Sequence, residues 1–207
     1  DQADLLRRFE AERSVLESVV KQMPAGVLVA DVPSGRIIMS NEPVSQAWRR
    51  PFRRASEVAD YAAWQGISET GESLHPEDWP LARTVRRGET VRDEEIRIQR
   101  GDGTVGVVRM SSAPVLDAQG RALAAVATVY DVTEEKEAVA RQAFLEEATR
   151  ILNQSLELER TLESLATLVV GRHADWCIIY RVLETGTIQR VSSVHADPAL
   201  AEVVRPF

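Results

Sequence analysis

The junction Asp131-Val132-Thr133-Glu134 constrains this chain most, because it joins an apolar, strand-like run to a long stretch without helix breakers. Residues 134–170 contain neither glycine nor proline, which predicts a long helix directly after a strand. An Asp or Thr side chain at such a junction can accept hydrogen bonds from the first free N–H groups of the helix, and Glu134 and Glu135 suit its positive end. Because the sheet would move the helix directly, this layout favours signal transmission over catalysis.

Composition and charge limit the classes of protein that remain. The 207 residues are 44% hydrophobic and 28% charged, which predicts a soluble globular chain with one full domain and part of a second. A net charge of −7 argues against general nucleic-acid binding. The single cysteine, Cys177, predicts a reduced thiol and a cytoplasmic location. No run is long enough for a membrane span. The chain starts at Asp1 without methionine, so we expect a piece of a longer protein.

The first 23 residues have the spacing of an amphipathic helix. Phe9, Leu16 and Met23 recur every seven residues, and Leu5 and Val19 occupy the companion position. Such a stripe can pack against a second copy of the chain, or it can cover the sheet of its own domain. Both interpretations stay open from the sequence.

Five strand-like runs follow, separated by turn residues or by short helical patterns. The runs cover residues 26–31, 36–40, 91–99, 105–115 and 123–130. Asn41 is a candidate N-cap for a helix after the second run, and residues 42–74 indicate several short helices or loops. Residues 76–87 begin with proline and acids and end with arginines, which predicts one capped helix. The order predicts an α+β fold, a five-stranded antiparallel sheet with helices on one face.

Seven short motifs occur within this region in a fixed order. They are Asn41, the segment from His75 to Arg83, Gly88-Glu89, Arg100-Gly-Asp-Gly103, Ser112-Ala-Pro114, Asp117-Ala-Gln-Gly120 and Asp131-Val-Thr133. By these motifs, residues 24–135 resemble a PAS domain. The resemblance implies that Asp131 and Thr133 couple the sheet to an outgoing signalling helix. A simpler interpretation, that they only cap the helix, is compatible with that role.

PAS domains can hold haem, flavin, a small acid or nothing, so the cofactor depends on the residues present. The light-sensing flavin branch uses an Asn-Cys-Arg-Phe motif, and the absence of cysteine before Cys177 excludes a flavin adduct. Haem is not expected, because His75 is the only histidine of the unit and directly precedes a proline. Four residues could line a pocket for a small organic ligand, although they could equally be ordinary core and surface residues: Trp64, Trp79, Arg97 and Met110.

Residues 136–155 predict a linker helix. Leu145, Ala148 and Leu152 have heptad-compatible spacing, and Glu146–Arg150 is a candidate ion pair one helical turn apart. A parallel homodimeric coiled coil is the favoured interpretation, with a single helix packed on its own domain as the alternative. We therefore expect a homodimer formed through the N-terminal and linker helices.

The C-terminal part of the chain contains the segments 155–162 (SLELERTL), 174–177 (ADWC) and 195–198 (HADP), and by these segments residues 156–207 resemble the opening part of a GAF domain. Two helices lead into a strand over 176–183, a Thr185-Gly186 turn and a second strand over 187–194. The predicted organisation is therefore a helix (1–23), a PAS domain (24–135), a linker (136–155) and an incomplete GAF domain (156–207). Neither His173 nor His195 belongs to a cluster with metal-ligand spacing, so no metal site is predicted.

The sequence contains no complete catalytic motif, so we expect no enzymatic activity from this chain. Residues 66–73 have the glycine spacing of a phosphate loop, but Glu72 stands where the essential lysine should be. Residues 48–54 interleave four arginines with two aromatics, a composition that suits phosphate or nucleic acid. Pairing of these arginines with Glu57 and Asp60 is the favoured alternative, so no nucleic-acid partner is expected.

By resemblance, the chain is the sensory segment of a signal-transduction protein, with a sensor histidine kinase of a two-component system as the expected parent. The alternatives are the regulatory segment of a serine phosphatase, or a passive docking module without a ligand.

Overall fold

The computed structural model describes residues 14–15, 17–68, 70–154, 158–197 and 199–200. The chain divides into two compact units, residues 1–136 and 137–207. Three positions of the predicted N-terminal stripe, Leu5, Phe9 and Leu16, lie outside the described residues. Residues 14–15 and 17–22 are helical and are called the incoming helix below.

The first unit contains six strands and several helices. The strands are β1 (Gly26–Asp31), β2 (Ile37–Ser40), β3 (Gly66–Ile67), β4 (Val91–Gln99), β5 (Val105–Leu116) and β6 (Ala122–Asp131). The α-helices are α1 (Glu42–Trp48), α2 (Pro80–Arg87) and the first turn of α3 (Thr133–Gln154), with 3₁₀ helices at Val58–Trp64 and Pro76–Asp78. Both ends of the unit lie at its sheet, because the incoming helix leads into β1 and β6 leads into α3.

The sheet is antiparallel, with the strand order β2-β1-β6-β5-β4-β3. The first and last long strands are therefore neighbours, and Gly26 lies opposite Val129. Because β1 starts where β6 ends, the incoming helix ends close to the place where α3 begins. This arrangement positions the candidate site.

The sheet has six strands, and the predicted count of five was wrong. The additional strand, β3, pairs only Gly66 with Ile98 and Ile67 with Arg97. Two residues are too few to show the alternation that reveals a strand in a sequence. Gly66 is needed here, because a Cβ atom would lie 2.7 Å from the Trp79 ring.

The predicted single helix over residues 76–87 is two helices. A 3₁₀ turn, Pro76–Asp78, is followed by Trp79 in an extended conformation with ψ of 137°, and α2 starts at Pro80. The ring of a proline disfavours helical geometry in the residue before it, so Pro80 forces this interruption. The predicted stop at Gly88 is confirmed, since its φ of 67° ends α2.

Aromatic side chains dominate the core between the sheet and the helices. Trp48, Tyr61, Trp64 and Trp79 are each at most 1% exposed. Tyr61 stacks on Trp64 at 3.9 Å between ring centroids, and Trp64 meets the edge of Trp79 at 5.2 Å. Burial of such large rings supplies much of the hydrophobic stabilisation of the unit.

The second unit contains the rest of α3, then α4 (Leu158–Val170) and a hairpin of β7 (Trp176–Val182) and β8 (Ile188–His195). The predicted strands and their turn are confirmed, with Gly186 at φ of 78°. The predicted Glu146–Arg150 pair is not formed, because Arg150 binds Glu147. The predicted kink at residues 153–155 extends outside the described residues. No helix in the described ranges has the length and apolar character required to cross a membrane.

Candidate functional site

The junction of β6 and α3 is held by the two residues that the sequence singles out. The Asp131 carboxylate accepts the backbone N–H of Thr133 at 3.1 Å and its hydroxyl at 2.6 Å. The Thr133 oxygen also accepts the backbone N–H of Val107 at 2.9 Å. Asp131 therefore caps the helix as expected, while Thr133 binds the neighbouring strand β5. The first residue of α3 is thus bonded to two strands.

Arg100 completes this site and is almost fully buried, at 4% exposure. Its Nη2 atom pairs with the Asp131 carboxylate and donates to the Thr133 oxygen at 2.8 Å. Its Nε atom donates to the Ala47 carbonyl, in the last turn of α1, at 3.1 Å. A buried guanidinium needs both a counter-charge and hydrogen-bond acceptors, and this site supplies them. Arg100, Asp131 and Thr133 are called the cap cluster below.

Two glycines make room for the cap cluster. A Cβ atom at Gly106 would overlap the Arg100 guanidinium, so this position of β5 accommodates only glycine without displacement. At Gly101 a Cβ atom would lie 2.7 Å from the Arg50 Cβ atom, because the turn packs closely on the end of α1. The Arg100-Gly-Asp-Gly103 motif therefore brings the arginine and the end of α1 together.

A surface ion pair closes the same turn. Arg49 donates to Asp102 at 2.7 Å, and this hydrogen bond, helped by donors on Thr104, lowers the pKa of the Asp102 carboxyl below its usual range. A lowered folded-state pKa means that the stabilisation is present at neutral pH and is lost only as the pH falls through that lower value. Both partners are exposed, so the pair contributes little to stability.

The outer side of the first α3 turn is also bound to the sheet. Lys136 lies 2.6 Å from Glu95 on β4, and Arg109 on β5 lies 3.3 Å from Glu95 and 3.4 Å from Glu135. The Lys136 hydrogen bond lowers the pKa of the Glu95 carboxyl, so the two ion pairs of Glu95 persist in mild acid. The start of α3 therefore has a buried attachment and an exposed one.

Sequence reasoning missed Arg100 as a site residue, although it lies in one of the motifs. The residue follows a strand and precedes Gly101, which indicates an exposed turn. Its partner Asp131 is 31 positions away, and no local periodicity reports such a contact. The glycine at position 106, within the first residues of an apolar strand, is the one sequence signal for a bulky neighbour at that place.

Three of the four predicted pocket residues come together in the core. Trp64, Trp79 and Met110 are buried in the same cluster, between the sheet and the helices. Arg97 lies on the other face of β4, exposed, and lines an open groove of about 560 Å³. The structure therefore separates Arg97 from the other three residues. His75, the only histidine of this unit, is exposed and directly precedes the 3₁₀ helix Pro76–Asp78.

Asn41 does not cap α1 with its side chain, contrary to the prediction. Its amide is buried and accepts the N–H of Val27 at 2.8 Å. It also donates to the carbonyls of Val20 at 2.9 Å and Ala25 at 2.8 Å. The N-cap preference predicts a local bond, but the neighbouring strand and the incoming helix offer buried groups that need a partner.

The arginine-rich segment also differs from its prediction. Arg49 binds Asp102, and Arg50 donates to the Ala63 carbonyl at 2.8 Å, so neither arginine pairs with Glu57 or Asp60. Asp60 instead accepts the Ser56 backbone N–H at 2.7 Å. Two of the four arginines therefore brace α1 and the following 3₁₀ helix.

The fold and the cap cluster define a single-sheet α+β domain whose last strand continues directly into a helix. A family model described as the PAS fold matches residues 20–137, more than half of the chain. The protein therefore belongs to the PAS family, as the motifs predicted. Among curated proteins, none matches this sequence.

Several solved structures are similar to this chain. An RNA-binding light-oxygen-voltage receptor is 19% identical with a TM-score of 0.49, covering 65% of this chain and 37% of that one. A Rhodobacter sphaeroides LOV protein is 10% identical with a TM-score of 0.46, covering 78% and 92%. The PAS domain of Bordetella pertussis BvgS is 16% identical with a TM-score of 0.39, covering 66% and 98%. Ligands and partners must therefore be inferred from the residues themselves.

Replacing Thr133 by valine is expected to loosen the start of α3 while the domain stays folded. Valine keeps the shape but removes an oxygen that binds Arg100, Asp131 and Val107, which costs about 1–2 kcal/mol. Amide exchange at residues 133–137 should accelerate relative to β5, measured by NMR. Thr104→Val, which removes an exposed turn hydroxyl, serves as the control. Equal exchange at the helix start in both variants would contradict the role given to Thr133.

Proposed function

We propose that this chain is a sensory and dimerisation module of a signal-transduction protein, in which the PAS domain passes its state to α3. The observation that carries the proposal is the cap cluster, because it bonds the first residue of α3 to both β5 and β6. A shift of either strand changes the partners of Thr133 and so changes the start of the helix. A cap with a purely structural role would need only Asp131 and Thr133. It would not need Arg100, because burying a charged side chain costs free energy.

The parent we favour is a sensor histidine kinase of the cytoplasm, in which α3 leads to a GAF domain and an output domain. Support comes from the resemblance of residues 156–207 to the start of a GAF domain and from the absence of a catalytic motif in the sequence. The alternative parent is a serine phosphatase, whose regulatory segment would likewise contain a GAF domain and no catalytic motif. A passive docking module is the third, and it differs because it needs no change at the cap cluster.

The test of the proposed function is the effect of Asp131→Ala and Thr133→Ala on output in the full-length parent. Both variants should retain the PAS fold and lose the dependence of output activity on the input signal. Arg121→Ala, which removes an exposed ion pair with Asp117 far from α3, is the matched control. Regulation that survives in both cap variants would leave the docking module as the better description.

Dimerisation through α3 is supported by apolar side chains that its own unit leaves uncovered. Leu145 and Leu152, seven positions apart, are 53% and 55% exposed. Val15 and Val19 of the incoming helix are 61% and 54% exposed, which suits a second contact. A seven-residue repeat of exposed leucines is typical of a parallel coiled-coil seam, so a second copy is the proposed partner.

Replacing Leu145 by aspartate is expected to weaken the dimer by at least tenfold. The change places a charge in the proposed seam, where desolvation would cost about 1.4 kcal/mol or more. Analytical ultracentrifugation over a concentration series gives the dissociation constant. Gln142→Asp, on an exposed position of the same helix, controls for the added charge. A dissociation constant unchanged in Leu145→Asp would rule out this seam.

A small organic ligand in the core is supported by one unpaired donor. The Trp79 indole N–H is fully buried and has no hydrogen-bond partner among the described residues. A buried unpaired donor costs about 1–3 kcal/mol, so an acceptor oxygen or nitrogen on a ligand would find a favourable site there. Native mass spectrometry of the purified chain tests both features at once. A dimer that retains extra mass supports the sensory proposal, whereas a bare monomer favours the docking module.

A further inference from the structure

Helix α1 is linked by hydrogen bonds to the helices that enter and leave the PAS unit, at its start through Asn41 and at its end through Arg100. At its start, the Asn41 amide donates to the carbonyl of Val20 in the incoming helix at 2.9 Å. At its end, the Ala47 carbonyl accepts Arg100 Nε at 3.1 Å, and Arg100 donates to Thr133 of α3 at 2.8 Å. Hydrogen bonds at both ends of α1, one partly buried and two buried, therefore join the incoming helix to the outgoing one through α1.

The Asn41 end fixes the incoming helix against the sheet. The last carbonyls of a helix lack partners within it, and Asn41 supplies a donor to one of them from another element. The same amide accepts the N–H of Val27 and donates to the carbonyl of Ala25, so one side chain holds the helix end and the start of β1. Asn41 is only 6% exposed, which strengthens the cost of losing these partners.

The other end of α1 is fixed to the cap cluster by more than Arg100. The Trp48 carbonyl accepts the N–H of Gly101 at 2.9 Å, and the close approach of Gly101 to Arg50 leaves no space between turn and helix. Along its inner face, α1 is anchored in the core by Val44 and Trp48, both at most 1% exposed. A short helix with a buried inner face that is held at both ends moves as one body rather than bending.

We propose that α1 is a strut that couples the incoming helix to α3, so that this PAS domain also relays motion from a segment upstream of it. This adds an input to the proposed function that requires no ligand in the core. Coupling between two sites is reciprocal, so a disturbance at either end must appear at the other. The residues that position the strut are Asn41 at one end, and Arg100 and Gly101 at the other.

The test is amide hydrogen exchange by NMR on the 207-residue chain, with one variant for each end. Asn41→Ala should accelerate exchange of the Thr133 amide at the far end by about fivefold or more. Gly101→Ala alters no side chain of Asn41 or of the cap cluster, but its new methyl group forces the turn away from the end of α1. It should accelerate exchange of the Val27 amide, which is bonded to Asn41, by a similar factor.

Thr84→Val is the matched control, because it breaks the buried Thr84–Ser112 pair between α2 and β5, away from the strut. In this variant, the exchange rates of the Thr133 and Val27 amides should stay unchanged relative to those of the β5 amides. In the double variant Asn41→Ala with Gly101→Ala, Thr133 should exchange no faster than in the faster single variant, because a broken strut transmits nothing further.

Two results would overturn the strut. One is a Val27 amide that exchanges in Gly101→Ala as it does in the unaltered chain, because this variant moves the turn away from α1 without altering Asn41. The other is full additivity in the double variant, which would assign the coupling to the neighbouring strands β1 and β6. Neither result bears on the sensory proposal, since the measurement uses no ligand, dimer or output domain.

Discussion

Replacing Arg100 by alanine should lower the free energy of unfolding of the PAS unit by about 2–3 kcal/mol. The change removes the counter-charge of Asp131 and leaves the Ala47 carbonyl and the Thr133 oxygen short of a donor. The Asp131 side chain is 36% exposed, so water recovers part of the loss, which is therefore smaller than the loss from breaking a fully buried pair. Gly106 would then face an empty space.

Urea unfolding followed by tryptophan fluorescence measures this loss, because three of the four tryptophans lie in the core of the PAS unit. Arg97→Ala is the control, because Arg97 is an exposed arginine of β4, the strand that Arg100 directly follows, and its loss should cost less than about 0.5 kcal/mol. Arg100→Lys separates charge from geometry. It keeps a cation near Asp131 but cannot present the planar fork that serves several acceptors. An Arg100→Ala variant as stable as Arg97→Ala would refute the structural weight assigned to the cap cluster.

Replacing Trp64 by alanine should cost more, about 3–5 kcal/mol, because the change leaves a large cavity in the core. Trp64 stacks on Tyr61, packs against Phe52 at 5.4 Å and Trp79 at 5.2 Å, and donates its N–H to the Arg53 carbonyl at 3.2 Å. Those neighbours are held by their own contacts and can close the cavity only in part.

Trp64→Phe is the matched control for this variant. It retains an aromatic ring on Tyr61 and loses less volume, so about 1–2 kcal/mol is expected. Trp176→Ala, at an indole that is 45% exposed, should leave the unfolding of the PAS unit unchanged. Calorimetry separates the three variants. Equal thermal-unfolding midpoints for Trp64→Ala and Trp64→Phe would indicate loose packing around Trp64. Such a result would support a ligand pocket there.

Local patterns predicted the elements that local chemistry determines. The turns at Gly103 and Gly120 have φ of 84° and 80°, as glycine at such positions predicts. The strand predicted over residues 105–115 is observed as β5, Val105–Leu116. The junction of β6 and α3 was predicted from its residues alone, because a strand pattern stops there and a helix pattern starts.

Errors arose where a distant residue decides the outcome. Asn41 has the sequence position of a helix cap, but its amide binds groups 14 to 21 positions earlier in the chain. Arg100 has the position of a turn residue, but it is buried by helix α1 and by the start of α3. β3 exists because Gly66 allows Trp79 to approach, which two residues of strand pattern cannot reveal. Long-range partners of this kind are invisible to periodicity.

The dependence of Arg100 on Gly106 has a practical consequence for recombining this domain with other effectors. A fusion joined after Lys136 carries the whole cap cluster, its glycine and the surface pairs of Glu95 within one donor sequence. A fusion joined before Val132 would supply threonine from one parent and arginine from the other, with no guarantee that both match. The transferable unit of this protein is therefore the domain together with the first turn of its outgoing helix.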